Sequence, residues 1–297
     1  MDKIGFFKEI FILPTRYGDR RDAVKKSMFI LFGLLPVLFG GFTGLSQAET
    51  LVIKGSTTVL PIAQKVAEEY MKEFPQTRIS ISGGGSGNGI KALIDGTTGI
   101  ADSSRFIKDN EVLRAVERGV YPVPFCIAYD CIIPVVHPDN PLTNLTVDQL
   151  RGIYRGEINH WSMLEAGSGK IVVVSRDTSS GTYEVWEEKV MSGERVYPGA
   201  LLQASNGAVV QTVAKNKYAI GYIGLGYVSP EVKALSVNGI VGSKRSTLDE
   251  SYPISRPLFM FTPGWPIGET GRFINYVIAP DKGQKFVEEI GFVPLFE

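Results

Sequence analysis

The sequence predicts an α/β fold, and three observations carry that prediction. A short apolar strand, a turn rich in hydroxyls or glycine and an amphipathic helix recur as one unit along the chain. The clearest copy runs from Ile171-Val172-Val173-Val174 through Ser175-Arg176-Asp177-Thr178-Ser179-Ser180-Gly181-Thr182 into Tyr183-Glu184-Val185-Trp186-Glu187-Glu188. Extended apolar runs carrying prolines, at residues 122–129 with 131–136 and again at 252–261, resist helix and read as crossovers between two domains.

In chain order, the first 48 residues have the pattern of an export signal. Arg20, Arg21, Lys25 and Lys26 precede the apolar run Met28 to Leu35, which continues after Pro36. Small residues at Ser46 and Ala48 place cleavage after Ala48, and the run is short for a membrane-spanning helix. A strand at Leu51–Lys54 then leads through Gly55-Ser56-Thr57-Thr58 into a helix at 61–74, with Ile62, Val66, Tyr70 and Phe74 at intervals of four. A second strand at 78–81 meets the glycine-rich loop 83–89, with Ser86 as its one hydroxyl, before a helix at 90–94. That loop lacks the spacing of a dinucleotide fingerprint and the Lys-Ser/Thr pair of a nucleotide phosphate loop. Ile100-Ala101-Asp102-Ser103-Ser104-Arg105 is a further strand end before a helix at 109–118. Thr146-Val147-Asp148-Gln149 caps a short helix. Helices at 206–214, 271–279 and 282–290 and a buried strand at 219–224 complete the set.

Each hydroxyl turn aims backbone amides, side-chain hydroxyls and the positive end of a helix dipole at one point, where an anion fits. Arg176 adds a planar, permanently charged fork suited to phosphate or carboxylate. Taken singly, each turn fits an ordinary Ser/Thr helix cap equally well; several in one chain favour the anion. Bulk charge gives no help. Lysine plus arginine and aspartate plus glutamate both number 31, so nucleic acid is not indicated as a partner. The leader holds 7 basic and 4 acidic residues, leaving 24 basic and 27 acidic in the rest, so an anion must be held by local geometry. Cys126 and Cys131 are the only cysteines; in an exported chain they pair only if a turn brings them together. His137 and His160, the only histidines, show no metal-ligand spacing, and no metal or cofactor is expected.

Gly55-Ser56-Thr57-Thr58, Gly84-Gly85-Ser86-Gly87, Ser103-Ser104-Arg105, Arg176 with Ser179-Ser180-Gly181-Thr182, Ser205-Asn206-Gly207, Ala219-Ile220-Gly221-Tyr222 and Gly291-Phe292-Val293-Pro294 recur together in one order. From about Leu51 to the C-terminus the chain thereby resembles the periplasmic phosphate-binding proteins that serve ABC-type phosphate importers. The resemblance implies a type II periplasmic-binding-protein fold with two lobes, two crossing strands and the ligand in the interlobe cleft. Residues 49–130 and 255–297 would form one lobe and 131–254 the other. It also implies a monomeric, non-enzymatic periplasmic receptor that delivers inorganic phosphate to a membrane permease.

Position by position, the resemblance makes Thr57, Thr58, Ser86, Arg176, Ser180, Gly181 and Thr182 phosphate ligands. Well-known members place an aspartate where this chain has Ser104, to take up the ligand's proton and pair with the arginine. Here the nearest acid is Asp102, so either Asp102 fills that role through a shifted loop or no carboxylate does. A carboxylate acceptor suits phosphate, which keeps a proton at neutral pH, and repels sulfate. Receptors for sulfate, molybdate or tungstate are therefore the alternative. A hydrolase using Ser86 or Ser180 would need a general base, and neither histidine is placed in a suitable pattern.

Overall fold

The computed structural model describes residues 50–296, so the leader and its expected cleavage after Ala48 lie outside the described residues. The chain opens with β1 (Leu51–Gly55), α1 (Leu60–Glu73), β2 (Ile79–Ser82), α2 (Ser86–Ile94), β3 (Ile100–Ser103) and α3 (Asp109–Glu117). Helix α1 begins with Pro61 in its first turn, where no amide hydrogen is needed, and buries Ile62, Val66 and Tyr70 as their spacing predicts. Strand β4 (Val123–Val136) follows, then β5 (Asn144–Leu145) and α4 (Val147–Tyr154). Thr146 and Gln149 form the capping box of α4 that its sequence predicts. Next come β6 (Val172–Arg176), α5 (Gly181–Lys189), β7 (Leu201–Gln203), α6 (Asn206–Ala214), β8 (Ala219–Gly224), β9 (Lys233–Ala234), β10 (Ser236–Val237) and α7 (Lys244–Leu248). Strand β11 (Ser255–Thr262) and helices α8 (Gly268–Ile278) and α9 (Gly283–Glu289) end the set.

The main sheet runs in the order β2-β1-β3-β11-β4-β8-β6-β7. Strands β1, β2 and β3 are parallel, as are β6, β7 and β8, whereas β11 is antiparallel to both β3 and β4. The extended runs at 122–129 and 131–136 are one strand, not two. Its first part pairs with β11 and its second, from Ile132, with β8. Apolar side chains cluster accordingly. One core is drawn from residues 131–254, and two others flank β1, β3 and β11 with residues from 51–128 and 258–292. We call the parts served by these cores the second and first halves. Cys126 and Cys131 are free thiols on β4, five residues or roughly 16 Å apart in extended chain, too far to bond.

The glycine-rich loop differs from expectation. Helix begins at Ser86 rather than at Ile90, because Gly85 at φ 100° turns the chain and donates its amide to Gly55 O at 2.9 Å. Gly89 then lies against β1; a Cβ there would stand 2.6 Å from Gly55 Cα and from Lys54 O. Glycine here permits close packing of helix on strand. Among the described residues no helix is long and apolar enough to cross a membrane.

Candidate functional site

The starts of α1, α2, α5 and α6 bring their side chains together, two from each half. Ser56 Oγ accepts from the amides of Thr58 and Val59, which fixes the turn carrying Thr57 and Thr58 ahead of α1. Ser180 Oγ caps α5 by accepting from Tyr183 N at 3.3 Å, and Ser205 Oγ caps α6 by accepting from Ala208 N at 3.1 Å. The amides of Gly181 and Thr182, the first two of α5, have no acceptor within the helix because of their position.

Arg176 ends β6 and crosses to the first half, where Nη2 donates to Thr57 Oγ1 at 3.1 Å. Its Nε and Nη2 also donate to the carbonyls of Gln203 and Ala204. Nη1 is buried with no hydrogen-bond partner. Burial pulls the guanidinium below its ordinary pKa, and no salt bridge to a carboxylate neutralises it among the described residues. The Tyr222 hydroxyl, 2.9 Å from Ser175 Oγ, accepts from Arg176 N at 3.3 Å, and its ring stacks on Trp186 with centroids 4.2 Å apart. The backbone at Arg176 is thereby tied to the stacked Tyr222–Trp186 pair.

Around it, Thr58 Oγ1 and Thr182 Oγ1 lie 3.0 Å apart across the halves. Ser104 N donates to Ser86 Oγ at 3.1 Å, and their hydroxyls are 3.4 Å apart. Gly181 faces both; a Cβ there would overlap Ser86 Oγ and stand 2.8 Å from Ser104 Oγ. Thr57, Thr58, Ser86, Ser104, Arg176, Ser180, Gly181 and Thr182 are thus assembled in one buried place. Asp102 is different. It is buried at the end of β3, its Oδ1 has no hydrogen-bond partner, and burial pushes its carboxyl well above the usual range. Asp102 does not pair with Arg176.

Three members of the cluster were not singled out as ligand-site residues from sequence. Arg256 and Asp130 are direct cross-strand partners in the β11–β4 register and form a buried salt bridge at 2.7 Å. Arg256 Nη2 also reaches Thr58 Oγ1 at 3.3 Å and Thr182 Oγ1 at 3.1 Å, while Nη1 donates to Ser104 O at 3.2 Å. Asn206 Nδ2 donates to Thr58 Oγ1 at 3.0 Å and to Thr57 Oγ1 at 3.4 Å. A lone charge inside each apolar crossover strand, and an amide in a Ser-Asn-Gly turn, are the signals that mark these residues in the sequence. The histidines lie elsewhere: His137 Nδ1 accepts from Asp139 N, and His160 bridges to Lys170.

The halves also meet outside this cluster. Gly87 N donates to Ser179 O at 2.9 Å and Ser179 Oγ to Gly84 O at 3.2 Å. Glu184 on α5 lies 2.6 Å from both Arg105 Nε and Lys108 Nζ of the first half.

Such an arrangement suits a binding protein, since helix N-termini converging between two α/β halves offer donors to a small anion. The sequence model described as a PBP superfamily domain matches residues 42–281. The phosphate-binding protein PstS of Staphylococcus epidermidis is 34% identical over 254 residues, covering 81% of this chain and 77% of that protein. A structure from Clostridium perfringens, assigned as a phosphate ABC transporter substrate-binding protein with bound phosphate, superposes with TM-score 0.78 and 32% identity, covering 84% of this chain and 100% of the other. An ABC-type phosphate transport receptor from Vibrio cholerae gives TM-score 0.68 at 32% identity, with coverages of 82% and 99%. The chain belongs to the PstS family of phosphate-binding proteins within the PBP superfamily.

Proposed function

We propose that this protein is an exported receptor that captures inorganic phosphate and hands it to the membrane permease of an ABC importer. The observation that carries this reading is the buried Nη1 of Arg176, which among the described residues has no hydrogen-bond partner and no carboxylate in a salt bridge, set among hydroxyls from the starts of α1, α2 and α5 and the Asn206 amide of α6. A single uncompensated cation with many neutral donors suits an oxyanion. The relatives, a phosphate-binding protein and a phosphate transport receptor, point the same way.

The proposed ligand set is Thr57, Thr58, Ser86, Ser104, Arg176, Ser180, Gly181 and Thr182, with Asp102 adjoining it as the carboxyl to be tested. The proposed lobes are 49–130 with 255–297, and 131–254, in keeping with the way the apolar cores divide. Export with removal of the leader near Ala48, and action as a monomer, belong to the same reading.

Calorimetric titration of anion-stripped protein with phosphate, sulfate, molybdate and tungstate tests it. Tight phosphate binding is expected, and Arg176→Ala should weaken it by about 2–5 kcal/mol. Binding of the other oxyanions in preference to phosphate would reassign the ligand, and an unaltered Arg176→Ala affinity would remove the arginine from the site.

A further inference from the structure

The threonine hydroxyls of the cluster are surrounded by nitrogens that can only donate. Thr57 Oγ1 receives Arg176 Nη2 at 3.1 Å and Asn206 Nδ2 at 3.4 Å. Thr58 Oγ1 receives Asn206 Nδ2 at 3.0 Å and Arg256 Nη2 at 3.3 Å. Thr182 Oγ1 receives Arg256 Nη2 at 3.1 Å. The orientation of the Asn206 amide is fixed independently, because Oδ1 accepts from Gly224 N at 3.2 Å and a backbone amide cannot accept. A hydroxyl has two lone pairs and one hydrogen. For Thr57 and Thr58 both lone pairs are occupied by nitrogen donors; for Thr182 one is, and the neighbouring Thr58 hydroxyl can fill the other.

We propose that Asn206 and the Arg256–Asp130 pair are positioning residues that occupy acceptor lone pairs of Thr57, Thr58 and Thr182, so that Thr58 spends its hydrogen on Thr182 and the Thr57 and Thr182 hydroxyls are left to meet a bound oxyanion as donors. Asp130 is integral to this arrangement. It holds Nε and Nη2 of Arg256 at 3.0 and 2.7 Å and accepts from Leu225 N at 2.8 Å, so the guanidinium is aimed by one strand and neutralised by its neighbour. Arg176 is then the uncompensated cation of the cluster. A wall of donors is complementary to deprotonated ligand oxygens and gains nothing from a ligand hydroxyl. The deprotonated form of phosphate is the preferred guest. The inference rests on the phosphate reading and adds the protonation state that the site selects.

Several titratable groups face these hydroxyls. Arg176 and Arg256 present guanidinium groups. Tyr227, whose hydroxyl donates to Thr57 O at 2.5 Å, is pushed up to about 12 by burial, and burial also raises Tyr222. Asp130 is salt-bridged, Asp177 lies next to Arg176 in sequence, and Asp102 hydrogen-bonds none of the three threonines. All remain in the variant Asn206→Asp, which differs from wild type by one nitrogen.

The test is the phosphate dissociation constant of the full protein measured across the second ionisation of phosphate, from about pH 6 to pH 8. Wild-type affinity for total phosphate should rise with pH, approaching tenfold per unit on the acidic side of that ionisation. In Asn206→Asp the new carboxylate draws the Thr57 and Thr58 hydrogens back, so the loss should grow with pH to on the order of a hundredfold. The double variant Asp130→Asn/Arg256→Gln leaves no unpaired charge and should likewise flatten the profile. Parallel profiles of wild type and both variants, or a wild-type affinity that falls with pH, would overturn the inference. Failure of the wild type to bind any oxyanion would instead overturn the phosphate reading.

Discussion

Asp102 is a carboxyl without a partner, placed in β3 between the strand's apolar interior and its hydroxyl end. Burial raises its pKa by disfavouring the charged form. In the unfolded chain the same group loses its proton near about pH 4. Above that pH the folded state binds the extra proton, so the contribution of Asp102 to stability falls as pH rises through the window up to its folded pKa. Asp102→Asn abolishes this dependence. Its melting temperature should exceed wild type at neutral pH, with the gain shrinking toward about pH 4. A gain independent of pH, checked by calorimetric melting, would show that titration of Asp102 is not its source. Phosphate titration of the same variant decides whether Asp102 belongs with the ligands, since an unchanged affinity excludes it. From sequence, Asp102 stood out as the acid nearest Ser104, but its isolation could not be read there. Isolation is set by what the neighbouring strands bring alongside.

Among the elements, α5 shows most directly how local grammar becomes a site. The strand–turn–helix pattern of 171–188 was legible because cap, dipole and apolar period are all properties of nearby residues. The Arg256–Asp130 pair and the Asn206 amide were not, because their partners lie 126 and 148 residues away and are fixed by strand register and packing. The single strand β4 was read as two runs for a related reason. It changes partner between Cys131 and Ile132, and its prolines, Pro124 and Pro134, are accommodated in those pairings. Gly181 offers a test at this scale. An added methyl would press on the Ser86 and Ser104 hydroxyls of the opposite half. Gly181→Ala should therefore weaken phosphate binding by about 1–3 kcal/mol, the usual cost of overpacking. Because the clash arises only when the halves are together, thermal melting without ligand should change little. A loss of melting temperature matching the loss of affinity would place the effect within α5 itself.

For the molecule as a whole, the decisive feature is that Arg176 is buried where the halves meet and yet, among the described residues, has no carboxylate in a salt bridge to neutralise it. Arg105, Lys108 and Glu184 draw the halves together, while the Arg176 charge resists being dehydrated alone. On the proposed reading, closure and anion capture form one coupled equilibrium. Small-angle scattering should show an expanded phosphate-free protein that contracts on adding phosphate. Arg176→Gln, which keeps donors but drops the charge, should be more contracted without ligand; equal dimensions for the two phosphate-free proteins would argue against this coupling. The consequence reaches beyond affinity. A receptor that shut while empty would dock as a decoy and waste transport cycles. On the same reading, a lone positive charge that only cargo can neutralise acts as a proofreading step, making the closed shape a truthful report that an anion is inside.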